Sequence, residues 1–320
     1  MRTVIPLTLL ATALACSLAT VPANARARVF VASYGSDSNP CTFGSPCRNF
    51  QQAINTVDAG GEVTAIDSAG YGPVTIAGAV TITSPPGVEA GIVPTSGNPA
   101  ILIKTSGGPT SVQLRGLTLD GTAGGTDGID YVGSGTDVEI IDCLIHNFSG
   151  DGINISVNPG VFFPGPVQTV IISNTVVSHN GGFGIALDPH QSFSLTGAID
   201  HVITSNNAST GIMIDGTATA GFVNFAISSI VSNSNSGDGI DALGGGNVKV
   251  ELRDSTISNN TFNGITVSDA ILGLYANTIV LNNNSGFAIV NSGLINSWGN
   301  NVITDNHAPS TGTLTKVNGQ

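Results

Sequence analysis

From residue 128 onward the chain repeats one phrase, an Asn-containing polar turn followed four to six residues later by Gly-Ile or a close variant. It reads at Asn147 with Gly152-Ile153, Asn180 with Gly184-Ile185, Asn206 with Gly211-Ile212, Asn233 with Gly239-Ile240, Asn259 with Gly264-Ile265 and Asn282 with Ala288-Ile289; Gly128-Ile129 fits the same pattern. Counted from Gly128, the Gly or Ala positions lie 24, 32, 27, 28, 25 and 24 residues apart. A period of that size marks stacked supersecondary units.

Within each unit the apolar residues fall in short, partly alternating runs: Val138/Ile140, Val170/Ile172, Phe225/Ile227, Val250/Leu252 and Leu272/Leu274, each with a second run such as Ile257 or Ile279. These spacings predict β-strands, and no helical stripe of ten or more residues separates them. A second polar position precedes each Asn turn, at Asp142, Asn174, Asp200, Ser228, Asp254, Asn277 and Asn301. Asx and Ser side chains bond their own backbone at bends, so each unit carries two polar corners. Three short strands and three bends in about 25 residues predict one coil of an all-β parallel β-helix, with coils stacked roughly 4.8 Å apart. Stacked Asn side chains can bond along such a ladder, and the glycines are expected where a bend requires positive φ.

The pattern resembles the right-handed parallel β-helix proteins of the pectin-lyase-like superfamily over nearly the whole chain after residue 27. The segment from Val29 to Val63 is similar to the entry of such proteins, where a strand and a Gly-Ser-Asp loop lead to a short helix. Phe50, Ala53, Ile54 and Val57 take i, i+3, i+4, i+7 spacing and Gly60-Gly61 follows, a one-faced helix. The resemblance implies that this helix caps the open end of the solenoid, whose bare strand edge would otherwise pair with other chains. The expected organisation is a signal peptide at 1–27, cap and entry at 28–72, coils at 73–308 and a tail at 309–320.

Residues 1–27 have a charged start at Arg2, an apolar core from Val4 to Ala15 and small-x-small sites ending at Ala25 and Ala27. They read as a secretory signal cleaved after Ala25 or Ala27, too short to span a bilayer, which predicts a secreted or periplasmic protein. Cys16 lies within that core, where lipidation is the alternative to simple cleavage. Cys41 and Cys47 flank a Pro/Gly loop and suit a local disulfide in an oxidising compartment; Cys143 sits in a strand run and reads as a buried small hydrophobe.

Charged residues make up 9% of the chain, far below the roughly 25% of an ordinary domain, with 21 acids against 9 bases and a formal charge of −12. No Lys/Arg cluster exists to contact phosphate, so nucleic acid is excluded as a partner, and the expected state is a monomer. Only Lys249 and Arg253 form a small basic pair. The longest repeat holds the insertion Asn158 to Val167, whose Phe162 and Phe163 can wall a groove, and a polysaccharide is the expected partner.

The segment Asn180 to Asn207 is similar to the coil of mannuronan C5-epimerases that carries a Tyr-Gly-Phe-Asp-Pro-His signature, matched here at Asp188-Pro189-His190. The resemblance implies that His190 is a general acid or base at a uronate C5 proton and that Asp188 orients it or helps neutralise the substrate carboxylate. The signature Tyr has no counterpart: it falls at Ile185 or Phe183 depending on the alignment, and no Lys or Arg occurs between Arg115 and Lys249. Asp188 and Asp215 each lie four residues after the repeat Gly, so they are expected one rung apart, an acid/nucleophile pair or half a calcium site. Asp127-Gly-Ile-Asp130 and Asp151-Gly-Ile-Asn154 fall in register, and their four side-chain oxygens suit Ca²⁺ if a bend brings them to one face; no cofactor is otherwise required. The alternative to a polysaccharide lyase or epimerase is a non-catalytic surface protein that binds glycan or protein.

Overall fold

The computed structural model describes residues 26–105, 110–157, 167–275 and 277–317. Every strand pairing between the named strands is parallel, and the strands sort into three sheets of twelve, nine and ten among the described residues. From Glu62–Ala65 to Leu294–Ser297, successive strands of one sheet are separated in sequence by one strand from each of the other two, so the chain visits all three sheets once per coil. This is a parallel β-helix. Among the described residues one short helix, Phe50–Ile54, interrupts it; Phe50 and Ala53 are buried while Ile54 and Val57 pack partly exposed against the core. The expected helical stripe thus closes after five residues, with Val57 in the turn beyond it.

Register follows from the apolar pairs. Ile129/Tyr131, Ile153/Ile155, Ile185/Leu187, Ile212/Ile214, Ile240/Ala242 and Ile265/Val267 stack in two inward columns of the nine-stranded sheet, all nearly inaccessible to solvent. A one-residue slip would turn both columns outward and expose side chains whose burial is worth about 1.5–3 kcal/mol each. In the last coil Ile265 pairs with Phe287 and Val267 with Ile289. The repeat glycine there is therefore Gly286, and the Ala288-Ile289 match read from the sequence is displaced by two residues.

The polar corners also resolve differently from the sequence reading. The turn residue in the left-handed region is His179, Asn206, Ser234, Asn259, Asn282 or Asp305. The ladder is made by the residue after it: Asn180, Asn207, Asn235, Asn260, Asn283 and Asn306, linked Nδ2 to Oδ1 at 3.0, 3.0, 3.0, 2.9 and 3.2 Å. Each Oδ1 also accepts the preceding ladder residue's backbone N–H, and the second Nδ2 hydrogen of Asn207, Asn235, Asn260, Asn283 and Asn306 goes to a backbone carbonyl of the previous coil. The interior amides are thereby satisfied without water. At the other corner, Asp142, Asn174, Asp254 and Asn277 adopt positive φ as the pattern suggests, but in two coils the bend residue is His201 or Ser229, one position beyond Asp200 and Ser228.

The repeat glycines serve space rather than positive φ. A Cβ on Gly239 would lie 2.2 Å from Ile257 Cγ2, 2.6 Å from Gly264 O and 2.8 Å from Asn260 Nδ2, and its φ is negative or extended. The left-handed positions beside the ladder are instead filled by Asn, His, Ser and Asp, the short polar types that tolerate this conformation better than most non-glycine residues.

Cys41 and Cys47 are joined by a disulfide at the entry of the solenoid, and Cys143 is a buried free thiol pushed up to about 11 by burial. Residues 308–317 continue the spiral: Thr315–Lys316 pairs with Leu294–Ser297, and Ser285 and Ala288 bridge to Ala308 and Thr311. Residues 1–25, and with them the expected signal segment and Cys16, lie outside the described residues. No described helix is long and apolar enough to cross a membrane, which says nothing of β-barrels.

Candidate functional site

The outer surface of the nine-stranded sheet carries three columns, each set by the inward residues just described. The position before each repeat Gly holds Asp127, Asp151, Phe183, Thr210, Asp238 and Asn263. The position between the inward pair holds Asp130, Asn154, Ala186, Met213, Asp241 and Thr266. Beyond the inward pair come Val132, Ser156, Asp188, Asp215, Leu243 and Ser268. The bend at the repeat glycine brings residues three apart onto one surface, which is the condition the Asp127/Asp130 and Asp151/Asn154 pairs require.

Asp188 and Asp215 occupy consecutive rungs because Leu187 pairs with Ile214. His190 Nε2 lies 3.1 Å from Asp188 Oδ2, both side chains about a third exposed. The backbone fixes this pair: Asp188 N–H donates to Ile155 O and His190 N–H to Val157 O, so the Asp-Pro-His segment still follows the previous coil. Burial raises the Asp188 carboxyl above its ordinary value; His190 opposes the rise and Asp215 adds to it. Asp215 accepts from Thr217 N–H at 2.7 Å and Thr217 Oγ1 at 2.6 Å, an Asx turn that aims its carboxylate.

Two further acid groups flank this centre. Burial pushes Asp241 up to about 7, reinforced by Asp238 and Asp215, and its Oδ1 is buried without a hydrogen-bond partner among the described residues. On the other side, burial pushes Asp151 up to about 6 against the Phe183 N–H it accepts at 2.7 Å, with Asp127 and Asp130 adding to the rise. Asp127, Asp130 and Asp238 are raised as well, first by burial. A sheet face carrying this many partly buried carboxyls therefore holds some of them as neutral acids near neutral pH, able to donate hydrogen bonds.

The residues expected to hold Ca²⁺ bond to one another. Asn154 turns its Nδ2 toward Asp130 Oδ1 at 3.1 Å, and Asp127 Oδ1 accepts Asp151 N–H at 2.7 Å. Among the described residues no group of three or more His, Cys, Asp or Glu side chains is placed to hold a metal ion, whereas Ca²⁺ takes six to eight oxygens.

The expected basic pair is not brought to this face. Lys249 and Arg253 lie on Val248–Arg253 in the twelve-stranded sheet. Phe162 and Phe163 fall outside the described residues. The cation that belongs to the Asp188 column is Lys104, which follows Ile103 and stands three rungs from Asp188, roughly 14 Å by strand spacing. Its place was hidden in the sequence because it depends on register across four coils. Of the two positions aligned with the epimerase Tyr, Ile185 points into the core and Phe183 lies on the outer face. A second feature that sequence reasoning missed is a stack of Tyr275 and Trp298 outside the twelve-stranded sheet, centroids 4.6 Å apart.

Neither a family model nor a curated protein matches the chain. Among solved structures, a pectate lyase, Pel9A, superposes with a TM-score of 0.61 at 13% identity, covering 89% of this chain and 78% of its own. A rhamnogalacturonan lyase matches at a TM-score of 0.48 and 14% identity over 84% of this chain and 75% of its own. The A-module of the Azotobacter vinelandii mannuronan C-5 epimerase AlgE4 matches at 0.41 and 15% identity, over 82% and 91%. The first of these establishes the fold that this chain shares; the latter two add no argument.

Proposed function

We propose that this protein binds a polysaccharide along the outer face of the nine-stranded sheet and that the Asp188–His190 pair moves a proton on the bound sugar, as a lyase or epimerase does. The observation that carries the reading is the 3.1 Å contact between His190 Nε2 and Asp188 Oδ2, set one rung from Asp215 on an open, ridged surface. A carboxylate that holds an imidazole gives it a fixed orientation, which proton transfer by a general acid or base requires. The pectate lyase that shares the fold supports a polysaccharide as the ligand class. The protonated form of Asp241, whose carboxyl is pushed up to about 7, and at lower pH that of Asp151, at about 6, would donate to hydroxyl or carboxyl oxygens of neighbouring sugar units. The protein acts outside the cytoplasm as a monomer, and the helix Phe50–Ile54 covers the first coil.

A second reading, a non-catalytic surface protein binding glycan or another protein, draws on one observation: the cation of the Asp188 column is Lys104, three rungs away, and no phenol stands where the epimerase signature has one. The two readings separate on turnover. Full-length protein is incubated with alginate, pectate and neutral glycans, with and without Ca²⁺, and followed by unsaturated-product absorbance, reducing ends and proton NMR. New product from at least one uronate polymer supports the first reading; binding without product across the panel supports the second.

A further inference from the structure

In the twelve-stranded sheet, outside the acidic face, one outward column runs Asp200, Ser228, Arg253, Tyr275, Trp298 in successive coils. Tyr275 and Trp298 stack with an interplanar angle of 2° and a centroid separation of 4.6 Å, which is the rung spacing of the solenoid itself. The adjoining column supplies the room: it runs Ala198, Ala226, Glu251, Gly273. A Cβ on Gly273 would stand 2.9 Å from Tyr275 Cε2 and 3.2 Å from Trp298 Cζ3, so the edges of both rings close over the glycine backbone and are held there. Both rings line a cleft of about 550 Å³, together with Glu251, Arg253, Asp254 and Asn277.

We infer that this cleft is a sugar-binding subsite for a neutral pyranose unit of a glycan. A pyranose presents an apolar C–H face and a rim of hydroxyls; a half-buried aromatic pair offers the surface for the first, and a carboxylate, guanidinium and amide rim offers acceptors and donors for the second. Glu251 and Asp254 outnumber Arg253, so the cleft is acidic and disfavours a uronate in the same position. The inference rests on the polysaccharide reading for its ligand class only. Its residues are on a different sheet from Asp188 and His190.

The chain has a single tryptophan, so its emission reports on Trp298 alone. Full-length protein is titrated with cellohexaose, xylohexaose, mannohexaose and hexagalacturonate, following emission and iodide quenching, with calorimetry for the variants. The expected result is a saturable emission change and protection from iodide with at least one neutral hexaose, and none with hexagalacturonate. Tyr275→Ala and Gly273→Ala should each weaken that binding about tenfold or more, with an unaltered far-UV circular dichroism spectrum. His190→Ala should leave the emission response in place, which separates this subsite from the acidic face. The inference is overturned if no neutral hexaose perturbs Trp298 at millimolar concentration, if hexagalacturonate binds there more tightly, or if folded Tyr275→Ala and Gly273→Ala bind as the parent does. Loss of the response in His190→Ala overturns it equally.

Discussion

Asp188 and Asp215 stand on consecutive rungs of one outward column because Leu187 pairs with Ile214 one position earlier. After burial and the opposing pull of His190, Asp215 is a cause of the upward shift at Asp188. Asp215→Asn removes that like charge and should lower the Asp188 pKa toward its ordinary value, read as the midpoint of its side-chain carboxyl carbon in an NMR pH titration. An unchanged or higher midpoint would mean the two carboxylates do not share a field.

Asp241 makes stability depend on pH in a fixed direction. The folded protein holds its proton up to about 7, while the unfolded chain releases it near the ordinary value of about 3.9, so the folded state binds more protons between those limits. Stability therefore falls as pH rises through that window, and Asp151, with its carboxyl up at about 6, acts the same way over a narrower span. Below about pH 4 the trend reverses, because carboxylates such as Asp37, held low by Asn49 and Arg48 despite the cost of burial, become protonated. Asp241→Asn should match the parent near pH 4 and exceed it at pH 8 by roughly 1–3 kcal/mol in urea melts. A parent that is no less stable at pH 8 than at pH 5 would refute this.

The amide ladder carries stability that its polarity conceals. Asn235 Oδ1 accepts both the backbone N–H and Nδ2 of Asn207. Asn235→Leu has a similar volume but strands those two buried donors, and should cost roughly 3 kcal/mol or more. Asn233→Leu, two residues earlier at the end of strand Val231–Asn233 and outside the ladder, is the control and should cost far less; equal losses would show that the ladder is not special.

Gly239 tests the close approach of coils. Gly239→Ala must displace Gly264 O, the Asn260 amide and the Ile257 methyl together, none of them a flexible end free to move. We expect a loss of roughly 2 kcal/mol or more in chemical denaturation, in the range of overpacked cores. Gly245→Ala, where a Cβ meets nothing within 4 Å, should be near neutral.

The repeat was legible because its inward residues, Ile153, Ile185, Ile212, Ile240 and Ile265, return to one column every coil and tolerate little but large aliphatics. The ladder was misplaced by one residue in most coils because Asn206-Asn207, Asn259-Asn260 and Asn282-Asn283 are doublets. One member supplies the left-handed bend and the other the buried amide, and composition does not distinguish them. Gly286 escaped notice because Phe287 replaces the usual Ile. The Asp188–Asp215 stacking could be counted from the repeat glycine, since the insertion in the preceding coil leaves their own spacing intact. Tyr275 and Trp298 could not be paired that way: they lie outside the repeated phrase, and only the register of the twelve-stranded sheet brings them together.

The proposed role of His190 is to transfer a proton on a polysaccharide held against the acidic sheet face. It is tested most directly by the turnover of His190→Ala on whichever uronate polymer the parent converts, with binding followed in parallel by calorimetry. With His190 as the proton-transfer group, kcat should fall about a hundredfold or more with binding kept within a few-fold. A variant that turns over as fast as the parent, or a parent that binds and converts nothing, would contradict it.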